Sequence, residues 1–473
     1  MAGDSFESRV VRAALPAVAT TLVWVLAGAL SLSAWPEQRA EALESAAPVA
    51  EAADVASHGE VGERKISAVS SPAQRIRTCA LPTDLVDLDN GELTAAVTDS
   101  TGELLWSRLA EQPVAPASVQ KILTATVAWR VLGPNFRFVT TVKADTAGNV
   151  WLVGGGDPTL TRAPGNNYYD SESSLAELSE QTVIGVREKN LPVPHTLHID
   201  TSRYEAFREW DESWRPGSWA LGYVAPVTSL MVDGDRDSPV LRLGARSTDP
   251  ASRARVWFSE ALAQRGMIFS AFAPASPAQG IEVARVESAP LPELLRIMLE
   301  DSDNSLAEAM AREVALASGT TDINEALVNA LGLGAEDREG LFLRDGSGLS
   351  PLNQIPASLV VRVLSEWVTT PERVPLLNSL AIAGETGSLQ RRFGGDSSVR
   401  GIVKAKTGSI AGVRSLAGIF DDEEGNSIVF SLNVSGPRVS DRDRDSLDAL
   451  TEALYDCGEN LAHWEKVDVS TTE

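Results

Sequence analysis

Beyond residue 79 the chain divides into runs of two hydrophobic periods. Residues 93–98 and 103–108 are short strand-like runs around the turn Asp99-Ser-Thr-Gly102, which predicts a hairpin. A helix follows. It begins after Pro116, places Val119, Ile122, Leu123 and Val127 on one broad face, and stops at Gly133-Pro134. Between about residues 140 and 290 the strand-like runs TVKADTAGNVWLVGGG, HTLHID and PVLRLGA are separated by turns and by a loop bearing Trp210, Trp214 and Trp219. Residues 291–317 return to a helical period, and Ser305-Leu-Ala-Glu308 has capping-box spacing at a helix start. Near the end, GIVKAKTG, VRSLAGIF and SIVFSLNV predict three strands, the last two joined by the polar turn DDEEGN, and an amphipathic helix is expected over about residues 444–462. No internal repeat is visible.

The N-terminal pattern is different in kind. Residues 13–35 carry no charge and follow Arg9 and Arg12, the layout of a segment handed to an export machinery, so the mature protein is expected outside the cytoplasm. Ser31-Leu32-Ser33 followed by Ala34 has the spacing of a cleavage site, and the run is also long enough to span a bilayer; release and membrane tethering both stay open. Residues 36–75 are rich in Ala, Glu, Ser and Val with few large apolar side chains. They cannot bury enough surface to offset their ordering entropy and are expected to form an acidic disordered linker.

Composition narrows the chemistry. A length of 473 residues suggests two or three domains, and 41 basic against 65 acidic residues give a net charge of −24, which argues against nucleic acid as a partner. Four histidines and two cysteines leave few ligands for a zinc site or an iron–sulfur cluster, and no metal or organic cofactor is predicted. His195 and His198, three apart on a strand, should point to opposite faces. Lysine is scarce, with seven in the chain.

Of these, Lys121 has a serine three residues before it, in Pro116-Ala-Ser118-Val-Gln-Lys121 at the start of the predicted helix. Positions i and i+3 share a helical face, so a neutral lysine there can take the serine's proton. Ser302-Asp303-Asn304 stands before a capped helix, where a hydroxyl and a carboxamide can project from a loop. Lys406-Thr407-Gly408 ends a strand, where a glycine admits a second backbone. Singly, each is more commonly a solvated face, a helix cap or a strand end. Glu385-Thr386-Gly387-Ser388 resembles the third motif but lacks its lysine and is assigned a structural turn.

The three motifs in this order are the set found in active-site-serine penicillin-binding proteins and β-lactamases. The chain resembles a class C low-molecular-mass penicillin-binding protein, a D-alanyl-D-alanine carboxypeptidase/endopeptidase, over nearly everything after residue 76. The resemblance includes VGGGDPTL, DSDNSLAEAMAR, RDGSGLSP, GSLQRRF and VKAKTGSIAGVRSLAGIF. Lys121 and Ser302 are separated by 180 residues, more than a β-lactamase's helical subdomain needs. The fold implied is an α/β (α+β) serine transpeptidase/β-lactamase-like domain, an antiparallel sheet flanked by helices, from residues 76–145 and 286–473, with β-rich accessory domains inserted at 146–285.

The resemblance also implies roles. Ser118 is the nucleophile and Lys121 the general base, its pKa lowered by burial and by the nearby charge of Lys406. Ser302 relays the proton to the leaving D-alanine and Asn304 holds a substrate amide. Lys406 and Thr407 bind the terminal carboxylate, Gly408 admits the substrate backbone, and the N–H groups of Ser118 and Ser409 form the oxyanion hole. Peptidoglycan stem peptides are the expected substrate and β-lactams the expected covalent inhibitors. Asp157, of the Gly-Asp-Pro segment, would bind the amino end of a diaminopimelate side chain. The arginine usual after DGSGLS is replaced by Pro351, so lysine-type stems should be cut at least as well unless Arg344 or Arg414 reaches the vacated place. Cys79 and Cys457 lie on elements that pack side by side in the resembling fold, and a disulfide is expected between them. The tryptophans are expected to pack the inserted domain. A β-lactamase-type hydrolase and a non-catalytic wall-binding module are the competing classes.

Overall fold

The computed structural model describes residues 77–86, 88 and 91–461. Along them run α1 (Thr83–Val86), β1 (Glu92–Asp99), β2 (Leu104–Arg108), α2 (Gln120–Leu132), β3 (Val139–Ala144), β4 (Asn149–Val153), α3 (Leu175–Glu188) and β5 (Thr196–Asp200). Next come α4 (Pro250–Ala263), β6 (Ala271–Phe272), β7 (Ile281–Glu287), α5 (Leu291–Glu300), α6 (Asn304–Ala317), α7 (Ile323–Ala330), α8 (Ala357–Thr369), α9 (Val374–Leu377) and β8 (Ala381–Ile382). The last elements are β9 (Lys404–Ile410), β10 (Val413–Asp421), β11 (Ser427–Ser435) and α10 (Asp441–Cys457).

Six strands in the order β2-β1-β11-β10-β9-β8 form an antiparallel sheet, in which β1 from the start of the described chain pairs with β11 from its end, Leu93 opposite Val434. Alternate side chains feed two cores, as the two-residue period of a strand requires. Ala96, Ala417, Ile419 and Val429 face α2, α5, α6 and α8; Ala95, Val97, Leu416, Phe420 and Phe430 face Leu447, Leu450 and Leu454 of α10. Burial on both faces is why VRSLAGIF and SIVFSLNV read as nearly continuous apolar runs.

A second, mixed sheet has the order β6-β5-β4-β3-β7, with α3 and α4 against it through Leu178, Phe258 and Leu262. It takes in β3 and β7, so it begins at Val139 and ends at Glu287, outside the expected limits of 146 and 285. The reason is local: β3 and β4 form one hairpin, and β7 pairs along β3 from Val139 to Ala144.

Several expected elements differ. PVLRLGA is not a strand: residues 237–245 form a loop closed by the bridge between Arg236 and Arg246, and Leu241 and Leu243 are exposed. Its alternation finds no neighbouring strand to pair with. The stretch 291–317 is two helices broken at 301–303, and Ser305 does not cap. Asp303 is the N-cap of α6, accepting from the Leu306 N–H at 2.9 Å, so Ser305 lies inside the helix. α10 begins three residues before the expected Arg444, because Ser440 and Asp443 make a reciprocal capping box there. The expected export segment and linker lie outside the described residues, and among the described residues no helix is long and apolar enough to cross a membrane.

Cys79 and Cys457 are joined by a disulfide, with a Cα–Cα distance of 5.5 Å and a sequence separation of 378. The Cys79 N–H also donates to Asn460 O at 3.0 Å, tying the segment before β1 to the end of α10. Chain entropy for so long a loop corresponds to about 6 kcal/mol, but measured disulfides usually contribute about 2–4 kcal/mol. Replacing both cysteines by serine is expected to lower the unfolding free energy by about 2–4 kcal/mol in urea titrations of the oxidised protein. Coincident titration curves would show that the bond adds nothing.

Candidate active site

Ser118 sits on a tight turn, Ala117–Val119, that runs straight into α2. Ala117 has φ 48°, a left-handed conformation that costs a non-glycine residue energy, and the surroundings enforce it. On one side lies the turn Asp345-Gly-Ser-Gly348: Gly348 has φ 80°, and a Cβ there would stand 1.9 Å from Ala117 O. On the other lies β9, where a Cβ on Gly408 would meet Ser415 Oγ at 2.0 Å and Pro116 O at 2.8 Å. Ser415 Oγ, on β10, donates to Pro116 O at 2.7 Å, fastening the sheet to the turn.

Lys121 is fully buried, one turn along the same helix. Its Nζ is 3.0 Å from Ser118 Oγ, 2.7 Å from Asn304 Oδ1 and 2.6 Å from Ser347 O. Asn304 Nδ2 donates to Tyr223 O at 3.1 Å, a carbonyl that can only accept, and this fixes the amide with its oxygen toward Lys121. Two of the three neighbours of Nζ are therefore pure acceptors. A neutral amine has two N–H groups for them and one lone pair, which is left for the Ser118 hydroxyl proton. Burial lowers the Lys121 pKa to about 8, against the pull of the Asp345, Asp303 and Glu308 carboxylates, which raise it.

The expected depression of Lys121 by Lys406 takes another form. Lys406 is also fully buried, and it is the Lys406 ammonium that gives way: burial first, then the Lys121 charge and Arg242, hold its pKa well below the ordinary value. The Lys121 charge adds to the cost of charging Lys406, and the Asp301 carboxylate offsets it only in part, whereas three carboxylates act on Lys121. Lys406 Nζ donates to Thr407 O at 2.9 Å.

Lys406, Thr407, Gly408 and Ser409 lie opposite Ala417, Leu416, Ser415 and Arg414, within β9 and not at its end as expected. The strand continues to Ile410 because the β9–β10 pairing does. β8 pairs only with Lys404 and Ala405, so the outer edge of 406–410 has no strand neighbour among the described residues.

Ser302 has φ 64° and stands in the break between α5 and α6, next to the fully buried Asp303. Asp303 Oδ2 accepts from Arg236 Nη2 at 2.8 Å and from the Tyr169 hydroxyl at 3.2 Å. Burial pushes this carboxyl up, but Arg236, Arg246 and the Leu306 N–H outweigh it and hold the pKa below the ordinary range. Ser305 Oγ accepts from Arg246 Nη1 at 2.8 Å.

Asp157 is buried after β4, where the Thr159 N–H and hydroxyl both donate to its Oδ1, at 2.8 and 2.6 Å. Burial still raises its pKa to about 6. None of its hydrogen bonds runs to Ser118, Lys121 or Lys406. Trp210 packs edge-on to Trp214 and Trp219, and Trp214 Nε1 donates to Asp345 Oδ2 at 2.8 Å. These rings therefore pack the inserted segment onto the 345–350 turn, not only its own interior. His195 bonds Thr196, whereas His198 stacks on Trp151 at 4.7 Å. A cavity of about 460 Å³ lies beside α6, lined by Glu308, Arg312, Arg344 and Asp345, and it reaches neither Ser118 nor Lys406.

Ser118 is thus bonded to a buried lysine, and a second buried lysine, Lys406, lies on β9. The model of the D-Ala-D-Ala carboxypeptidase 3 (S13) family matches residues 81–242 and 235–454. The chain belongs to this family, the class C low-molecular-mass penicillin-binding proteins. Carboxypeptidase DacB of Mycolicibacterium smegmatis is 36% identical over 405 residues, covering 82% of this chain and 85% of that protein. The D-alanyl-D-alanine carboxypeptidase of an Actinomadura species is 29% identical, covering 72% of this chain and 77% of its own length. The crystal structure of penicillin-binding protein 4 from Haemophilus influenzae shares the fold, with a TM-score of 0.65 at 20% identity over 79% of this chain and 99% of that one.

In this family member the sequence motifs leave out several groups that build the site. Ser347 supplies a carbonyl and Tyr223 another, and a backbone atom has no residue-type signal. Glu308 reads as a capping-box partner, yet its Oε1 accepts from the Gly346 and Ser347 N–H groups, each at 3.0 Å. Gly408→Ala is expected to push β9 off the Ser118 turn and slow β-lactam acylation about a hundredfold while the fold persists by circular dichroism. An unchanged rate would show that Ser415 yields without cost.

Proposed function

We propose that this protein is a serine DD-peptidase that hydrolyses the D-Ala-D-Ala bond of peptidoglycan stem peptides, and D-Ala cross-links, through an acyl-serine intermediate. The single observation that carries the proposal is the Lys121 nitrogen, fully buried and 3.0 Å from Ser118 Oγ, where burial lowers its pKa to about 8. Ser118 Oγ attacks the carbonyl carbon of the penultimate D-alanine as its proton passes to Lys121 Nζ. The N–H groups of Ser118 and Ser409 hold the oxyanion. The C–N bond then breaks, and the proton moves from Lys121 through Ser302 to the departing amine. Water, deprotonated in turn by Lys121, hydrolyses the ester and frees Ser118. Asn304 serves mainly to aim Lys121, since its oxygen is committed there; one N–H remains for a substrate carbonyl. The open edge of β9 can pair with the peptide. Lys406 and Thr407 receive the terminal carboxylate, which would favour the charged form of Lys406 that burial disfavours.

The names of the relatives, carboxypeptidase and D-alanyl-D-alanine carboxypeptidase, support the reaction. The Haemophilus influenzae fold relative has been solved with a β-lactam, in keeping with β-lactams as covalent inhibitors here. Peptidoglycan as substrate and the Cys79–Cys457 disulfide both favour an extracytoplasmic site of action. Residues 13–35 would direct export, either cut off or kept as a tether.

Ser118→Ala is expected to abolish both D-alanine release and labelling by a fluorescent penicillin, and Lys121→Ala to slow labelling by about 10²–10⁴. In the parent protein the acylation rate should rise with pH, pass its midpoint at about 8 and level off well above it, because the base acts only when unprotonated. Labelling of Ser118→Ala at the parent rate would remove the mechanism. Rapid turnover of the penicillin, instead of a lasting adduct, would indicate a β-lactamase, and absence of labelling would favour a wall-binding module.

Side-chain preference follows from Pro351, which is exposed and uncharged after the DGSGLS turn. Arg344 is engaged by Asp211 at 2.8 Å, and Arg414 by Asp441 at 3.2 Å and by the carbonyls of Ile410 and Val413. With both cations occupied, and Asp157 in the role of partner to the side-chain ammonium, lysine-type pentapeptides are expected to be cut at least as fast as diaminopimelate-type ones. A preference above about tenfold for diaminopimelate in parallel kcat/KM measurements would show that a cation has reached the vacated place.

A further inference from the structure

Ser347 O is the closest neighbour of the Lys121 nitrogen, and nothing in the sequence motifs accounts for what aims it. The peptide that carries it is held from α6. Glu308 Oε1 accepts the N–H groups of both Gly346 and Ser347, and Glu308 Oε2 accepts from Arg312 Nη1 at 2.9 Å. The turn lies directly on the helix: a Cβ on Gly346 would meet Ala307 O at 2.5 Å and Ala311 Cβ at 2.6 Å. Thr124 Oγ1, one turn beyond Lys121, donates to Gly346 O at 2.7 Å and closes the clamp from α2.

We propose that Glu308 is a positioning residue of the acylation step: through its two bonds to the 346–347 backbone it aims the Ser347 carbonyl at Lys121, and it places a fixed negative charge behind the base. The proposal rests on Lys121 being that base.

The two effects are separable. Geometrically, losing the clamp frees the Ser347 carbonyl to rotate away, and Nζ then loses one of the two acceptors that reserve its lone pair for Ser118. Electrostatically, the groups facing Lys121 are Asp303 and Glu308 from α6 and its cap, Asp345 from the turn and Lys406 from β9; those facing Glu308 are Arg312, Asp345 and Lys121. Burial and Asp345 push the Glu308 carboxyl up, and Arg312 and Ser347 hold it back. Its carboxylate in turn favours the protonated form of Lys121. Removing that charge must make Lys121 lose its proton at lower pH.

The test is the pH dependence of Ser118 acylation by a fluorescent penicillin in the parent, Glu308→Gln and Glu308→Asp proteins. Glu308→Gln keeps an acceptor for the backbone N–H groups but no charge, and its rate midpoint should fall by about one pH unit from the parent's. Glu308→Asp keeps the charge but is too short to reach both N–H groups. Its midpoint should stay while its plateau rate drops about tenfold or more. A purely structural residue would lower the plateau in both variants and move neither midpoint, and that result overturns the inference. If Glu308→Gln fails to fold, Glu308→Asp decides: a plateau equal to the parent's overturns it. A parent protein not labelled at Ser118 overturns the DD-peptidase proposal and this inference together, whereas a labelled parent with an unmoved Glu308→Gln midpoint overturns this inference alone.

Discussion

Three segments of the chain converge on one buried nitrogen. Lys121 Nζ is met by Ser118 from its own helix, by Asn304 from the head of α6 and by Ser347 from the turn after α7. Burying an amine is costly in the charged form, and the charged form is what three carboxylates nearby favour. The two effects together leave the Lys121 pKa lowered to about 8. The balance depends on position, because each contact comes from a different part of the chain, and a shift of any one element changes both the lone-pair direction and the charge.

That dependence gives the inserted segment a structural part to play. Arg236 is buried between the rings of Tyr168 and Tyr169, 4.1 and 4.8 Å from their centroids, and pairs with Asp303. Arg246 spans Gly234 O, Gly222 O and Ser305 Oγ. Together they set the break between α5 and α6 and hence the place of Ser302 and Asn304. Loss of one partner from such a buried ion pair would strand the other, which makes these arginines structural anchors first. The aromatic packing of Trp210, Trp214 and Trp219 does the same for the 345–350 turn through the Trp214–Asp345 bond.

The elements legible beforehand were those with a strong local signal. The hairpin, the helix from Pro116 to Gly133, the three closing strands and the last helix all follow from hydrophobic period, turn residues and caps. PVLRLGA misled because alternation records a preference, and a strand also needs a neighbour to pair with. Ser305-Leu-Ala-Glu308 misled because capping spacing is satisfied equally by a serine inside a helix; Asp303 took the cap and freed Glu308 for the turn.

By itself, the sequence determined the motifs on which the proposed chemistry rests, a serine three residues before a lysine on a helix, a polar triplet at a helix entry and a lysine on a strand, and also two cysteines far apart. Residue type and helical spacing are local properties, so one chain suffices to read them. Tertiary structure alone decided that burial, set against three carboxylates, governs the Lys121 pKa, that Ser347 offers a carbonyl and that Glu308 stands behind it. Burial and backbone direction depend on which distant segments meet. The pairing of β1 with β11, the seating of the 345–350 turn on α6 and the ion pairs from residues 236 and 246 are contacts between positions many residues apart, and no local pattern in the chain encodes them.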